Sequence, residues 1–116
     1  MLFRSLVGFA DKPSAADLHI TPDGRFLYGS ERASNTIMGF SVDAASGLLT
    51  PIGSTPTEAA PRGFRIDPSG RFLLAVGQTS NRMSVYAIDD GTGRLAKLAD
   101  YPMGTNPNWV EIINLP

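Results

Sequence analysis

The 116-residue chain has no cysteine, which removes disulfides, thiolate metal sites and thiol nucleophiles together. A single histidine rules out a multi-histidine metal centre within the chain. Neither sign of charge dominates: ten basic residues stand against eleven acidic ones, for a formal charge of -1. The basic footprint that nucleic acid or an anionic membrane requires is therefore missing, so neither is expected as a partner. No apolar run approaches the ~20 residues of a membrane-spanning helix. The start, Met1 to Ala10, is apolar but broken by Arg4 and Ser5, and reads better as a strand than as a leader. The expected compartment is the cytoplasm. Neither a G-x-S-x-G elbow nor a phosphate-cradling P-loop occurs.

What the chain does have is punctuation. Twelve glycines and nine prolines mark frequent turns, and apolar residues at 42% suffice for a core. The punctuation recurs. I-T-P-D-G-R-F-L at residues 20–27 returns as I-D-P-S-G-R-F-L at residues 66–73, a shift of 46. The same shift lays Ser34-Asn35 on Ser80-Asn81, Phe40 on Tyr86, Gly47 on Gly93 and Pro56 on Pro102. Residues 15–60 and 61–106 share twelve identities without a gap, where average residue usage gives about three.

Each unit reads as four short strands: Ala16–Ile20, Arg25–Ser30, Thr36–Val42 and Leu48–Ser54 in the first. Pro22-Asp23-Gly24 supplies a tight reversal, Glu31–Asn35 a polar loop and Asp43–Gly47 a second reversal. Four antiparallel strands recurring every ~40–50 residues are the sign of a β-propeller blade. The expected fold is all-β, an incomplete propeller of about two and a half blades. Residues 1–14 would hold an outer strand and linker, 15–60 and 61–106 a blade each, and 107–116 an inner strand. Alternate connections of such a blade open on opposite mouths. The mouth opposite the P-D-G and P-S-G turns collects Glu31, Arg32, Arg62, Gln78 and Arg82, so a site is expected there. The aspartates at 17, 23, 43, 67 and 89 are expected to cap turns singly rather than to bind a metal. Trp109 and the phenylalanines at 26, 64 and 72 are expected to pack between blades.

The strings A-A-D-L-H-I-T-P-D-G-R-F-L-Y, S-E-R, P-T-E, P-R-G-F-R-I-D-P-S-G-R-F-L-L-A-V-G-Q and N-P-N-W-V-E-I resemble the seven-bladed β-propeller lactonase family. That family holds bacterial 6-phosphogluconolactonases and carboxymuconate-lactonizing enzymes, and the resemblance runs from Ala15 to Leu115. Seven units of 46 residues make 322, so the chain looks like the last third of such a protein. The resemblance implies hydrolysis of a sugar-phosphate lactone to the open acid, in carbohydrate metabolism, without a cofactor or metal. A lactonizing cycloisomerase and a non-catalytic scaffold are the rival readings. Such a lactone wants arginines for its phosphate and a base or donor at the ring.

Arg32 matches an arginine that the resembling enzymes carry at their cleft, and with His19 it is the catalytic candidate. Arg62, Gln78 and Glu31 are the substrate-binding candidates. Ion pairs from the arginines to Glu31 or Glu58 are the structural alternative. His19, Arg65 and Glu111 share one position in successive first strands, where such groups commonly satisfy one another across blades. The chain alone is expected to be inactive. Its other partners are expected to be the remaining blades, or further copies held through exposed blade faces.

Overall fold

In a computed structural model, which describes residues 15–57, 59–77, 79–104 and 112, the turns divide the described residues into eight strands. The side chains of residues 15 and 62 lie outside that description. The strands are β1 (Ala15–Ile20), β2 (Phe26–Glu31), β3 (Thr36–Val42), β4 (Leu49–Pro56), β5 (Pro61–Ile66), β6 (Phe72–Gly77), β7 (Arg82–Ile88) and β8 (Leu95–Pro102). They form two four-stranded sheets, β1-β2-β3-β4 and β5-β6-β7-β8, each strand antiparallel to its sequence neighbour. The architecture is all-β, and no helix occurs among the described residues. The strands expected in 1–14 and 107–116 lie outside the described residues, residue 112 excepted.

Strand ends depart from the sequence reading for local reasons. β2 starts at Phe26 because the Arg25 backbone N–H is held by the Asp23 carboxylate at 3.1 Å, inside the turn. β4 runs on to Pro56 because Ile37 and Thr36 still find Thr55 and Pro56 opposite them. Both sheets carry the same irregularities. The β1–β2 register shifts between Ala15 and Leu18, and the β5–β6 register between Pro61 and Phe64. The β3–β4 and β7–β8 pairs each leave an extra residue, Ile52 and Leu98.

The turns also repeat atom for atom. Gly47 N–H bonds Asp43 C=O and Gly93 N–H bonds Asp89 C=O, both at 2.8 Å. Asp43 Oδ2 accepts the Ser46 N–H, and Asp89 Oδ2 the Thr92 N–H, again both at 2.8 Å. Asp23 and Asp67 hold the turns before β2 and β6, so four of the five aspartates cap turns as expected. Asp17 does not: it lies within β1 and has another partner, described below.

The core is built between the sheets. Phe26, Tyr28 and Ile37 from the first meet Phe64, Leu73, Ala75, Tyr86 and Ile88 from the second, with Ile52 and Leu95 packed against them. Phe26 and Phe64 therefore pack as expected, Phe72 stays half-buried beneath Arg71, and Trp109 lies outside the described residues. Polar bonds pin the same interface. Tyr28 donates its hydroxyl to Gly93 C=O, and Tyr86 donates to Pro56 C=O at 3.1 Å. Burial, followed by the nearby Asp23 charge, raises the Tyr28 phenol well above its ordinary value, so it stays a donor.

Two carboxylates make the fold sensitive to acid. The Thr21 hydroxyl, then the Arg25 guanidinium, lower Asp23 to about 2 from an ordinary 3.8. Lys97, then Arg82, lower Asp100 to about 2 in the same way. A depressed folded value means stability that is whole above the unfolded value and is lost as pH falls toward the folded one. Resistance to urea should therefore drop between pH ~4 and ~2. The Asp23→Asn/Asp100→Asn double variant should lose part of that slope in urea midpoints measured across the window. An unchanged slope would show that these carboxylates do not set it.

Candidate functional site

β2 links the two mouths. Its six residues, at ~3.3 Å each, separate the Asp23-Gly24 turn from Glu31-Arg32 by roughly 20 Å. The first mouth is identified by contacts between turns. Arg25 Nη2 reaches Asp90 Oδ1 at 2.7 Å, and Gly70 abuts Pro22, so a Cβ there would stand 3.3 Å from the ring. These bonds gather the β1–β2, β5–β6 and β7–β8 turns on one side. Arg32 lies at the other end, with the β4–β5 connection beside it, because Asn35 Oδ1 accepts the Ala60 N–H at 2.8 Å.

Glu31 shapes that second mouth. The loop reading from composition placed it in a polar connection, yet it closes β2 and is 0% exposed. Its Oε1 accepts the backbone N–H of Ala33 at 2.7 Å and of Ser34 at 3.3 Å, folding the turn that carries Arg32. The turn closes on Asn35 in the left-handed conformation, φ 56°, which asparagine tolerates. Asn35 C=O then accepts the Thr57 N–H at 2.9 Å, tying the Arg32 turn to the end of β4. Arg32, half-buried, is thus presented on a turn fixed from three directions.

His19 lies deeper along β1, paired with Tyr28 in the sheet. Its Nε2 meets Asp17 Oδ2 at 3.0 Å, and the two side chains are 22% and 29% exposed. Asp17 lies two residues earlier, on the same side of the strand. Its Oδ1 accepts the Leu18 N–H at 2.9 Å, and its backbone N–H donates to Ser30 Oγ at 3.0 Å. The Asp17 carboxylate also accepts the Phe64 N–H across the sheets at 3.4 Å. The His19 ring stands edge-on to Phe64, centroids 4.9 Å apart and planes at 90°. A carboxylate at Nε2 favours the tautomer with its proton there, leaving Nδ1 as an acceptor.

The observed partner of His19 thus belongs to its own strand. The signal was present in the sequence as D-x-H in a strand, a spacing that puts both groups on one face. Glu111 and Gln78 lie outside the described residues, as does the Arg62 side chain. The backbone at Arg62 follows Pro61, which pairs with Gly77 at the end of β6 corresponding to the Arg32 end of β2. Among the described residues, no group of three His, Asp or Glu side chains is arranged to hold a metal ion.

Two adjacent antiparallel four-stranded units, repeated at a 46-residue interval and packed face to face, are the arrangement of neighbouring β-propeller blades. The family model of the seven-bladed β-propeller lactonases matches residues 4–112, and the chain belongs to that family. It is 50% identical over 99 residues to the 6-phosphogluconolactonase of Serratia proteamaculans, covering 85% of this chain and 30% of that protein. Identity to the 6-phosphogluconolactonase of Pectobacterium carotovorum is 48% over 108 residues, covering 93% and 32%. Among solved structures, the periplasmic gluconolactonase of Pseudomonas aeruginosa superposes with a TM-score of 0.79 at 35% identity, covering 85% of this chain and 28% of that one. A Lactobacillus plantarum protein gives 0.82 at 33% identity, covering 89% and 30%. The chain therefore spans about a third of the length of the relatives it matches.

Proposed function

We propose that the seven-bladed protein to which these blades correspond opens the lactone ring of a phosphorylated sugar acid. Water adds to the lactone carbonyl, the ring C–O bond breaks, and the departing oxygen takes a proton, giving the open acid. The observation that carries the reading is Arg32, held at the mouth by the buried Glu31 carboxylate, in a chain about half identical to 6-phosphogluconolactonases. The Arg32 guanidinium suits the phosphate or the charge that grows on the carbonyl oxygen. Arg62 and Gln78 are the further donors that the sequence assigns to the same mouth, and Glu31 shapes the turn that carries Arg32. The Asp17–His19 pair offers an imidazole acceptor on the inner strand for the attacking water.

The test is a chimera in which these blades replace the matching segment of the Serratia proteamaculans enzyme. Arg32→Ala should lower kcat/KM for 6-phosphogluconolactone about 100-fold, the scale of losing a charge-stabilising donor, and Arg62→Ala about tenfold. Unchanged kinetics in both variants would remove the arginines from the site. The 116-residue chain alone should not exceed spontaneous hydrolysis, and turnover by a monomer would overturn that expectation.

A further inference from the structure

Where the two 46-residue units differ, several of the differences gather at one cavity. It measures about 130 Å³ and lies between the sheets, against β3 and β4 at the far end of the strand order from β1 and His19. Buried Tyr28, Ile37 and Gly39 form its floor, while Gly53, Thr55 and Arg94 form a rim open to solvent. Two glycines make the space. The Tyr28 ring lies so close over Gly39 that a Cβ there would stand 3.2 Å from it, whereas a Cβ on Gly53 would meet nothing within 4 Å. The second unit carries Val85, Ala99 and Tyr101 where the first has Gly39, Gly53 and Thr55. The same fold thus accepts bulk at these positions, and the first sheet omits it.

The rim departs from the repeat as well. Arg94 stands where the first unit has Leu48. It is held beside the cavity because the β7–β8 turn is seated firmly: a Cβ on Gly93 would fall 2.5 Å from Phe26 and 2.9 Å from Ile52. Arg25 and Arg82 hold aspartates, but among the described residues no carboxylate pairs with Arg94. Nor does a hydrogen bond among the described residues engage the hydroxyl of Thr55, or that of Ser54, which also lines the cavity. The Tyr28 hydroxyl donates to Gly93 C=O, so its oxygen retains capacity to accept. A cation, hydroxyl groups and an apolar floor therefore border one small space.

We infer that this cavity binds a small hydroxycarboxylic acid of about six non-hydrogen atoms, the size that a cavity near 150 Å³ accepts. The Arg94 guanidinium takes the carboxylate. Ser54 and Thr55 take the hydroxyl, and the carbon chain lies on Ile37 and the Tyr28 ring. The ligand touches β4 of one sheet and the β7–β8 turn of the other, so it bridges the two blades. The site shares no residue with the Arg32 turn or the Asp17–His19 pair.

Lactate is the probe, and lactamide is its uncharged counterpart of equal size. Amide chemical shifts of the 116-residue chain, followed at constant ionic strength, should move at Gly53, Thr55, Gly93 and Leu95. Lactate should bind with a dissociation constant of about 1–10 mM, and lactamide at least about tenfold more weakly. The Asp43–Gly47 turn, with the same backbone bonds but followed by Leu48, should not respond. Arg94→Leu, which copies Leu48, should weaken lactate at least about tenfold and leave lactamide unchanged. Thr55→Tyr, which copies Tyr101, should fill the cavity and abolish both. Far-UV circular dichroism verifies folding, and Ser54→Asp, which copies Asp100, is the second block should the tyrosine disturb it, since its carboxylate repels lactate. Absence of shifts up to about 50 mM lactate would overturn the inference. So would equal binding of lactate and lactamide, shifts spread evenly over the Arg25 and Arg71 turns, or lactate binding that survives the block in a folded chain.

Discussion

Replacing Gly93 with alanine should cost the fold about 3 kcal/mol, against about 1 kcal/mol for the same change at Gly47. Both residues sit at φ near 75° in turns with matching hydrogen bonds, so the backbone penalty is common to the two. Only Gly93 has Phe26 and Ile52 against it, and its new methyl group must push the turn off the first sheet. That movement also breaks the bond from Tyr28 to Gly93 C=O. Urea unfolding of both variants measures the difference directly. Equal losses would mean that the turn does not hold the two sheets together.

The second large effect is expected at Phe64, with Leu18 again as its repeat-related control. Phe64→Ala should lose about 4 kcal/mol, the usual range for truncating a fully buried aromatic. Leu18→Ala, at a side chain 46% exposed, should lose less than about 1 kcal/mol. The phenylalanine ring supports the edge of His19, so its loss should also loosen the Asp17–His19 pair. Proton NMR of the imidazole should then show averaging in Phe64→Ala that is absent from Leu18→Ala. A Phe64→Ala variant as stable as the parent would place the core elsewhere.

Much of the fold was legible because the 46-residue repeat records each turn twice. P-D-G and P-S-G identify one reversal, D-A-A-S-G and D-D-G-T-G another, and the strands are what remains between them. Strand order then sends Arg32 away from Asp23, a conclusion that needs no side-chain detail. The site was less legible where residue type misleads about burial. Glu31 looks like a loop carboxylate, yet the neighbouring N–H groups of Ala33 and Ser34 satisfy it in the interior. Asp17 looks like the other turn aspartates and is distinguished only by lying in a strand two residues before His19. The seating of Gly93 on Phe26 joins positions far apart in sequence through packing, and no local pattern announces it.

The bond from Tyr28 to Gly93 spans 65 residues, and that separation also matters while the protein is being made. Each sheet pairs only neighbouring strands, so the first can complete as soon as β4 has left the ribosome. Its Phe26 and Tyr28, however, have no cover until the Asp89–Gly93 turn emerges. At roughly 5–20 residues per second, that leaves an apolar face bare for several seconds on every nascent chain. A chaperone that binds extended apolar surface would meet its target in that interval, and a pause in translation between β4 and β7 would lengthen the encounter.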